Sequence, residues 1–589
     1  MIRRSFLLVF SLALLFPSAA QAEPTALDLD SISRRWLGPQ YLDNLGWRIA
    51  APGDLNGDGL ADFAVSAPQD DGPLTFNSVV RIYFGRSTGA PSSGYADWAD
   101  VEVSDGKVGT DAVYQFAFID DATGDGVGDL LVVEPTAGAA GKVLLYPGSA
   151  ADWPSSLGAP DAVARWDGYL QEELPELAGE TRPSQVAGGD FDGDGLADIV
   201  IASELFSALW VDYSDSAFSG TSSLQDLGAP IRLCSDEVLT AQFGAAVVAG
   251  DFNGDDFADL AVSAPGCVAG EGRVFVWYGA SGGLAAEPDL TLGGRDRLGG
   301  SLTVLDMDGD GIDDLAVQEL LSATEEDPNA GSRGNLLVYF GGEAGLPESP
   351  AVSFLGGFSD RRFGEAVALL ADTSTPADGV PELVISSPEA AYNGLGQGAV
   401  YIFDGRAEWS GEINASEARY RISGAHRDAW LGHSLATLDD FDGNGYPELV
   451  IGEPNYTEGK SENDYLRGRV YFFDGLPDRD EDGDGISTLN GDCEDLDPDI
   501  GPLSAEECGD GLDNDCDHEI DEGCGDDDDD DDDLTPPPAG DDDDDDEDDG
   551  GACDCSSGHL SWNSAGPGSV VLLLVGLLGL VGLRRRSAA

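Results

Sequence analysis

The chain has 589 residues, with 112 Asp and Glu against 29 Lys and Arg and a formal charge of -83, which excludes a general basic surface for a nucleic-acid backbone. A hydrophobic content of 41% with 10 Trp, 16 Tyr and 23 Phe supplies a sizeable core and excludes disorder along the whole length. The 80 Gly and 2 Met point to a turn-dense β protein rather than a helical one.

At the N-terminus Arg3 and Arg4 precede an apolar run from Phe6 to Phe16, and Ala20-Gln21-Ala22 offers small residues for signal peptidase. The run is shorter than the ~20 apolar residues a membrane span needs. Residues 1–22 therefore read as a cleaved export signal, with the mature chain starting near Glu23 outside the cytoplasm.

Internal repetition follows. Asp54-Leu-Asn56-Gly-Asp58-Gly-Leu60-Ala-Asp62 leads into the apolar run Phe63-Ala-Val65 and then Ser66-Ala67-Pro68. The same order returns at Asp190, Asp192, Asp194 and Asp198, at Asp251, Asn253, Asp255 and Asp259, at Asp306, Asp308, Asp310 and Asp314, and at Asp440, Asp442, Asn444 and Glu448. A sixth copy, Asp121, Thr123, Asp125 and Asp129, carries a hydroxyl at its third position, and a seventh from Asp372 to Glu382 is degenerate and about two residues longer. Successive first Asp residues stand about 55 to 69 apart. Each unit closes on an alternating aromatic-rich strand ending in Gly, such as Val79 to Gly85, Gly272 to Gly279 and Gly468 to Gly475.

One unit thus holds a strand before the Asp loop, a strand after it, the aromatic strand, and room for a fourth. No stretch shows convincing helical periodicity. Four antiparallel strands make a propeller blade, whose faces must be covered by neighbouring blades around a channel. The fold class expected is all-β: a seven-bladed β-propeller of four-stranded antiparallel blades over residues 27–476.

The Phe-Gly pairs Phe243-Gly244 and Phe363-Gly364, with Leu45-Gly46, Leu298-Gly299 and Leu431-Gly432 in their place elsewhere, join the Asp loops and Ser-Ala-Pro at 66–68 and 263–265. In these features the chain, over roughly residues 30 to 475, resembles the FG-GAP repeats that build the integrin α-subunit propeller. The second and third units depart from the pattern, with Tyr114-Gln115-Phe116 and Ser184-Gln185-Val186 at the Phe-Gly position.

Oxygen side chains at loop positions 1, 3, 5 and 9, a Gly at 6 and a backbone carbonyl at 7 suit a hard cation, and calcium is the expected ion, at several structural sites. The backbone carbonyls fall at Leu60, Val127, Leu196, Phe257, Ile312 and Tyr446. An EF-hand instead places Glu at position 12 between helices. Carboxylates ~4 Å apart repel by about 1 kcal/mol in water and about 4 at an effective dielectric constant of 20, so the cation is expected to hold the fold rather than to run chemistry. Thr123, Asp256 in place of the turn Gly, and the longer seventh loop weaken three of the sites.

Residues 478–525 change character, with Asp480 to Asp484 and Cys493, Cys508, Cys516 and Cys524 among many acids. This segment resembles the Asp/Cys-rich metal-binding repeat of exported bacterial surface proteins. In an oxidising compartment its four Cys favour disulfides, in any of three pairings. Residues 526–550 carry two acidic runs divided by a Pro-rich stretch, which reads as an extended, solvated stalk. Residues 551–589 bring Cys553-Asp554-Cys555, an apolar run from Ser564 to Leu583 just long enough to cross a membrane, and Arg584 to Arg586. The ending resembles the MYXO-CTERM class of surface-sorting tails, which implies recognition, cleavage and surface attachment; an ordinary single-span anchor is the other reading.

A hydrolase reading meets little support. The four His stand at 426, 433, 518 and 559 without zinc-protease spacing, and His426 and His433 read as surface residues. Gly279-Ala-Ser281-Gly-Gly283 matches the nucleophile elbow in letters but follows an aromatic strand of the repeat array and no helix. Cys234 and Cys267 flank the fourth Asp loop and are candidates for a disulfide, which requires Cα atoms within about 7 Å. The function expected is a surface-displayed, calcium-stabilised propeller acting as an adhesion or ligand-binding module, without catalytic residues or nucleic-acid partner. It would take an unidentified protein or glycan at a loop face and meet the membrane through its tail. The alternatives are a lectin or lyase acting on polysaccharide and a purely structural coat protein.

Overall fold

The computed structural model describes residues 24–474, except 28, 30–33, 39–42, 69–78, 87–92, 96–97, 105–114, 135–139, 150–152, 170–181, 214–215, 235–240, 295, 322–332, 373–379, 393, 407, 444–446 and 458–466. The export signal, the Asp/Cys-rich segment, the acidic stalk and the sorting tail lie outside the described residues. Among the described residues no helix is long and apolar enough to cross a membrane.

Seven sheets form seven blades. In the first, Ile49–Gly53 lies innermost, followed outward by Asp62–Ala67, Val79–Tyr83 and Val101–Val103, all antiparallel. The innermost strands of the next six blades are Gln115–Ile119, Gln185–Gly189, Val247–Gly250, Leu298–Leu305, Val367–Leu370 and Leu435–Leu438. The second strand of six blades is buried at every residue, for example Asp62–Ala67, Asp198–Ser203 and Glu448–Glu453. That is why the sequence after each Asp loop reads as an unbroken apolar run: a strand sandwiched between two neighbouring blades has no wet face.

The core is accordingly divided into seven buried clusters, one between each pair of neighbouring blades. The cluster between the seventh and first blades closes the ring. In it Trp36 packs on Phe63, Tyr83, Trp98 and Phe472. Trp36 belongs to Arg34–Leu37, which pairs antiparallel with Arg469–Asp474 and is the outer strand of the last blade. The N-terminus thus completes the blade built by the C-terminal repeat, which the repeat order alone does not reveal.

The expectation of four-stranded blades needs correction. Five blades carry a fifth, parallel edge strand contributed by the chain of the following blade: Ser156–Leu157, Gly220–Ser223, Gly411–Asn414, Thr25–Leu27 and Ser93–Tyr95. Each caps an outer strand whose N–H and C=O row would otherwise stay open, a common protection of sheet edges. The third blade shows three strands and the fourth shows four among the described residues.

Candidate functional site

The Asp loops connect the first and second strands of their blades, so they all sit at one end of the propeller. Their backbone is fixed by their own carboxylates. Asp54 accepts the N–H groups of Gly57 and Asp58 on Oδ1, at 2.6 and 3.1 Å, and that of Gly59 on Oδ2 at 2.8 Å. The pattern recurs at Asp121, Asp190, Asp251 and Asp306. Gly57 and Gly59 take positive φ here, which Gly tolerates without a Cβ clash. The fifth-position Asp accepts the N–H of the seventh residue, as in Asp58 with Leu60, Asp125 with Val127, Asp194 with Leu196, Asp255 with Phe257 and Asp310 with Ile312.

The ninth-position acid behaves differently. Asp62, Asp129, Asp198, Asp259, Asp314 and Glu448 are buried as the first residues of their strands. Asp62 takes the N–H of Leu55 at 2.7 Å on one oxygen and that of Gly85 at 2.8 Å on the other. Asp129, Asp259 and Asp314 repeat this with Ala122 and Gly148, Phe252 and Gly279, and Met307 and Gly341. The carboxylate is a clamp between the loop and the end of the third strand. The terminal Gly of the aromatic strand is explained by the same contact, since a Cβ on Gly85 would stand 2.7 Å from the Ala61 carbonyl oxygen. Burial pushes Asp62 up to about 6 and Asp259 and Asp314 up to about 7, against the pull of the two backbone N–H groups, and the neighbouring loop Asp residues add to the rise.

The loops also join one blade to the next. The N–H of Ala61 donates to the Asp440 carbonyl, Ala197 to Asp121, Ala258 to Asp190 and Asp313 to Asp251, at 2.9 to 3.0 Å. Whatever stiffens a loop therefore stiffens an inter-blade joint, including the joint between the first and last repeats.

Three loops bring three carboxylates within 4.8 Å of one another: Asp190 with Asp192 and Asp194, Asp306 with Asp308 and Asp314, and Asp440 with Asp442 and Glu448. These all-oxygen clusters fit a hard cation. The loops at Asp54, Asp121 and Asp251 carry Asn56, Thr123 and Asn253 at the third position and form no such carboxylate trio among the described residues. The Thr123 hydroxyl donates to Asp129. Asn444 and Tyr446 lie outside the described residues, as does most of the degenerate loop after Asp372.

At the opposite end the inner strands begin around a central channel of about 730 Å³ lined by all seven blades. Its mouth holds Trp47, Arg48, Gln115, Gln185, Glu365 and His433. His433 was expected at the surface; instead it packs edge-on against Trp47 at 4.7 Å and beside Trp430 at 5.8 Å, and burial, with Arg362 nearby, pushes it down to about 4. These residues carried no signal in the repeat, because they come from five different copies, at positions where the copies vary. Four of the most exposed large apolar side chains, Leu205, Val268, Phe358 and Leu395, sit on connections at this same end. Cys234 and Cys267 form a disulfide with Cα atoms 5.8 Å apart, next to Val268. Ser281 falls in a tight turn, with the Gly283 N–H donating to the Ala280 carbonyl.

These features define a seven-bladed β-propeller. The FG-GAP repeat matches residues 46–83, 182–221, 243–277 and 431–473, in the first, third, fourth and seventh blades. Residues 492–522, outside the described residues, match the Cu-binding MopE family, "Putative metal-binding motif". Among curated proteins the chain is 31% identical over 263 residues to phosphatidylinositol-glycan-specific phospholipase D of Bos taurus, covering 39% of this chain and 30% of that protein. It is 30% identical to integrin alpha-4 of Xenopus laevis over 31% of this chain and 17% of that protein. Integrin alpha-PS2 of Drosophila melanogaster is 31% identical over 40% of this chain and 16% of its own length. The chain thus spans less than a third of the length of each of these relatives, which include both an enzyme and integrin subunits.

Proposed function

We propose that this chain is an exported, surface-displayed propeller, stabilised by calcium at its Asp loops, that acts without catalysis as an adhesion or ligand-binding module. The observation that carries the reading is a division of ends. Acidic loops that join blade to blade occupy one end, while exposed apolar tips and an aromatic, charged channel mouth occupy the other. Large apolar side chains held in solvent around a concavity are the usual mark of a binding face. The integrin relatives favour the same reading by analogy, and the phospholipase is the contrary analogy; the chain covers only 30% of the phospholipase and 16–17% of the integrins.

Calcium is favoured because the donors are oxygen only and all three trios share the first and third loop positions, joined by the fifth in one loop and the ninth in the other two. A lectin is the second reading, and the Trp, His and Glu side chains gathered at one mouth favour it. The Asp/Cys-rich segment, stalk and tail would hold the propeller off the cell surface. The test is to melt the full chain with calcium or EDTA, and then to screen it against immobilised glycans and surface proteins. A calcium-dependent melting temperature with saturable binding supports the reading. Calcium-independent melting, or the absence of any saturable ligand, overturns it.

A further inference from the structure

The channel mouth contains a charge that the fold leaves unanswered. Arg48 ends the turn into the first inner strand, and its guanidinium lies 6.0 Å from the centre of the Phe116 ring. Its Nε is buried with no hydrogen-bond partner among the described residues. Burial pushes its pKa down to about 10, and among the described residues no carboxylate stands within ion-pair distance of it. Glu365, the acid in the channel lining, is already committed to Arg362. Burying a cation without a partner is costly, and an anion brought from outside would offset that cost.

The surroundings describe the rest of that anion. Trp47, Trp430 and His433 form one aromatic group, with Trp47 and Trp430 centroids 6.5 Å apart. Trp430 is held there in a left-handed backbone conformation, φ 62°, that an aromatic residue rarely adopts. The His433 Nδ1 is buried and without a hydrogen-bond partner among the described residues. Elsewhere in the same lining, Gln115 donates to Gln185 from the second blade to the third. An aromatic platform, amide groups and a spare guanidinium are suited to a sugar ring bearing a carboxylate: the apolar face of the ring rests on indole and the carboxylate takes the paired N–H donors of arginine.

We propose that the channel mouth binds an acidic saccharide, with Arg48 pairing the uronate carboxylate and Trp47 supporting the sugar ring. This deepens the ligand-binding reading above and rests on it. A cavity of about 730 Å³ is of the size that takes small ligands, in the range of about 300–1,000 Å³, so a short oligosaccharide fits where a folded protein segment would not.

The experiment is calorimetric titration of the full chain, in calcium, with oligogalacturonate, with the same oligomer fully methyl-esterified, and with a glutamate-rich peptide. The acidic oligomer should bind, and esterification or Arg48→Gln should weaken it by about 10-fold or more, the scale of a lost charge-assisted hydrogen bond. Arg48→Lys should keep part of the affinity, and Trp47→Ala should weaken the acidic and esterified oligomers alike. Melting curves of each variant show that it remains folded, and the Lys variant keeps the test open if the Gln variant does not. Equal binding of the two oligomers, or unchanged affinity in folded Arg48→Gln, overturns the uronate proposal while leaving a ligand-binding mouth. Binding of the peptide alone does the same. If none of the probes binds and a wider glycan and protein screen is also empty, the ligand-binding reading falls with it.

Discussion

The ninth-position acid has two conceivable jobs, cation ligand and backbone clamp, and one pair of variants separates them. Asp62→Ala removes the acceptor of two N–H groups, from Leu55 and Gly85, at a site with no access to water. An orphaned buried donor costs about 1–3 kcal/mol, so the loss should reach roughly 2–6 kcal/mol whether or not cation is present. Asp58→Ala, in the same loop, removes an acceptor from two exposed donors, the Leu60 N–H and the Asn56 side-chain amide, where water substitutes at a cost of about 0.5–1 kcal/mol each. Its larger effect should come through lost binding, about 2.7 kcal/mol for a site held at 100 times its dissociation constant. Urea unfolding of both variants and the parent, each in calcium and in EDTA, gives the four differences. Asp62→Ala should destabilise in both solutions, and Asp58→Ala chiefly in calcium. A silent Asp62→Ala in EDTA would refute the clamp. Equal losses for Asp58→Ala in the two solutions would refute its part in holding a cation.

Other expectations follow from single contacts. Reducing Cys234–Cys267, which lie 33 residues apart, should lower stability by about 3–4 kcal/mol on the loop-entropy scale; thermal melts with and without reductant, and a Cys234→Ser/Cys267→Ser variant, check it. His433 is neutral in the folded chain, with its pKa depressed by burial and Arg362 from 6.5 to about 4. The unfolded chain therefore binds the proton first, so the stability due to neutral His433 is complete above pH 6.5 and is lost as pH falls toward 4. The stability difference between parent and His433→Gln should shrink over that window; a constant difference refutes the assignment. Trp36→Ala should cost about 3–5 kcal/mol by emptying the cluster between the first and last blades, measured as a shift in the urea midpoint.

Much of this architecture is legible because the repeat imposes it. The run Phe63-Ala-Val65 after an Asp loop gives a strand buried on both faces, and copies of that unit give the blades. Even the aromatic strand's closing Gly is visible as a pattern, though its reason is not, since the approach of the Ala61 carbonyl is a contact made in space. Three features escape a reading along the chain. Arg34–Leu37 pairs with residues at the far end of the propeller, and nothing local says so. The edge strands, such as Ser156–Leu157, are too short to stand out from loops. The channel mouth is assembled from Trp47, Arg48, Gln115 and His433 of different copies, and a motif search averages such residues away. At the Asp loops, spacing locates the oxygens but not their partners: Asp62 and Asp58 look alike in sequence and face different groups in the fold.

The residue before each Phe-Gly or Leu-Gly pair offers a way to tell fold from function at the mouth. Asn44, Gln242, Arg297, Arg362 and Trp430 all occupy this place in five blades, and all have positive φ, between 37° and 62°. A non-Gly residue in this conformation costs roughly 1–2 kcal/mol, and the fold could avoid the cost by placing Gly there, as it does two residues later at Gly46, Gly244, Gly299, Gly364 and Gly432. Asn44, Gln242 and Arg362 recover some of it through hydrogen bonds to Pro454, Glu204 and Glu365. Arg297 is exposed, and among the described residues its side chain makes no hydrogen bond or ion pair to offset the strain. Arg297→Gly should therefore stabilise the propeller, by up to about 1 kcal/mol once the greater freedom of Gly in the unfolded chain is counted. Urea midpoints measure the change. A stabilised variant means that the strained position is kept for what its side chain presents to the mouth. A destabilised one means that the arginine supports the turn itself, and that the rim of side chains belongs to the scaffold.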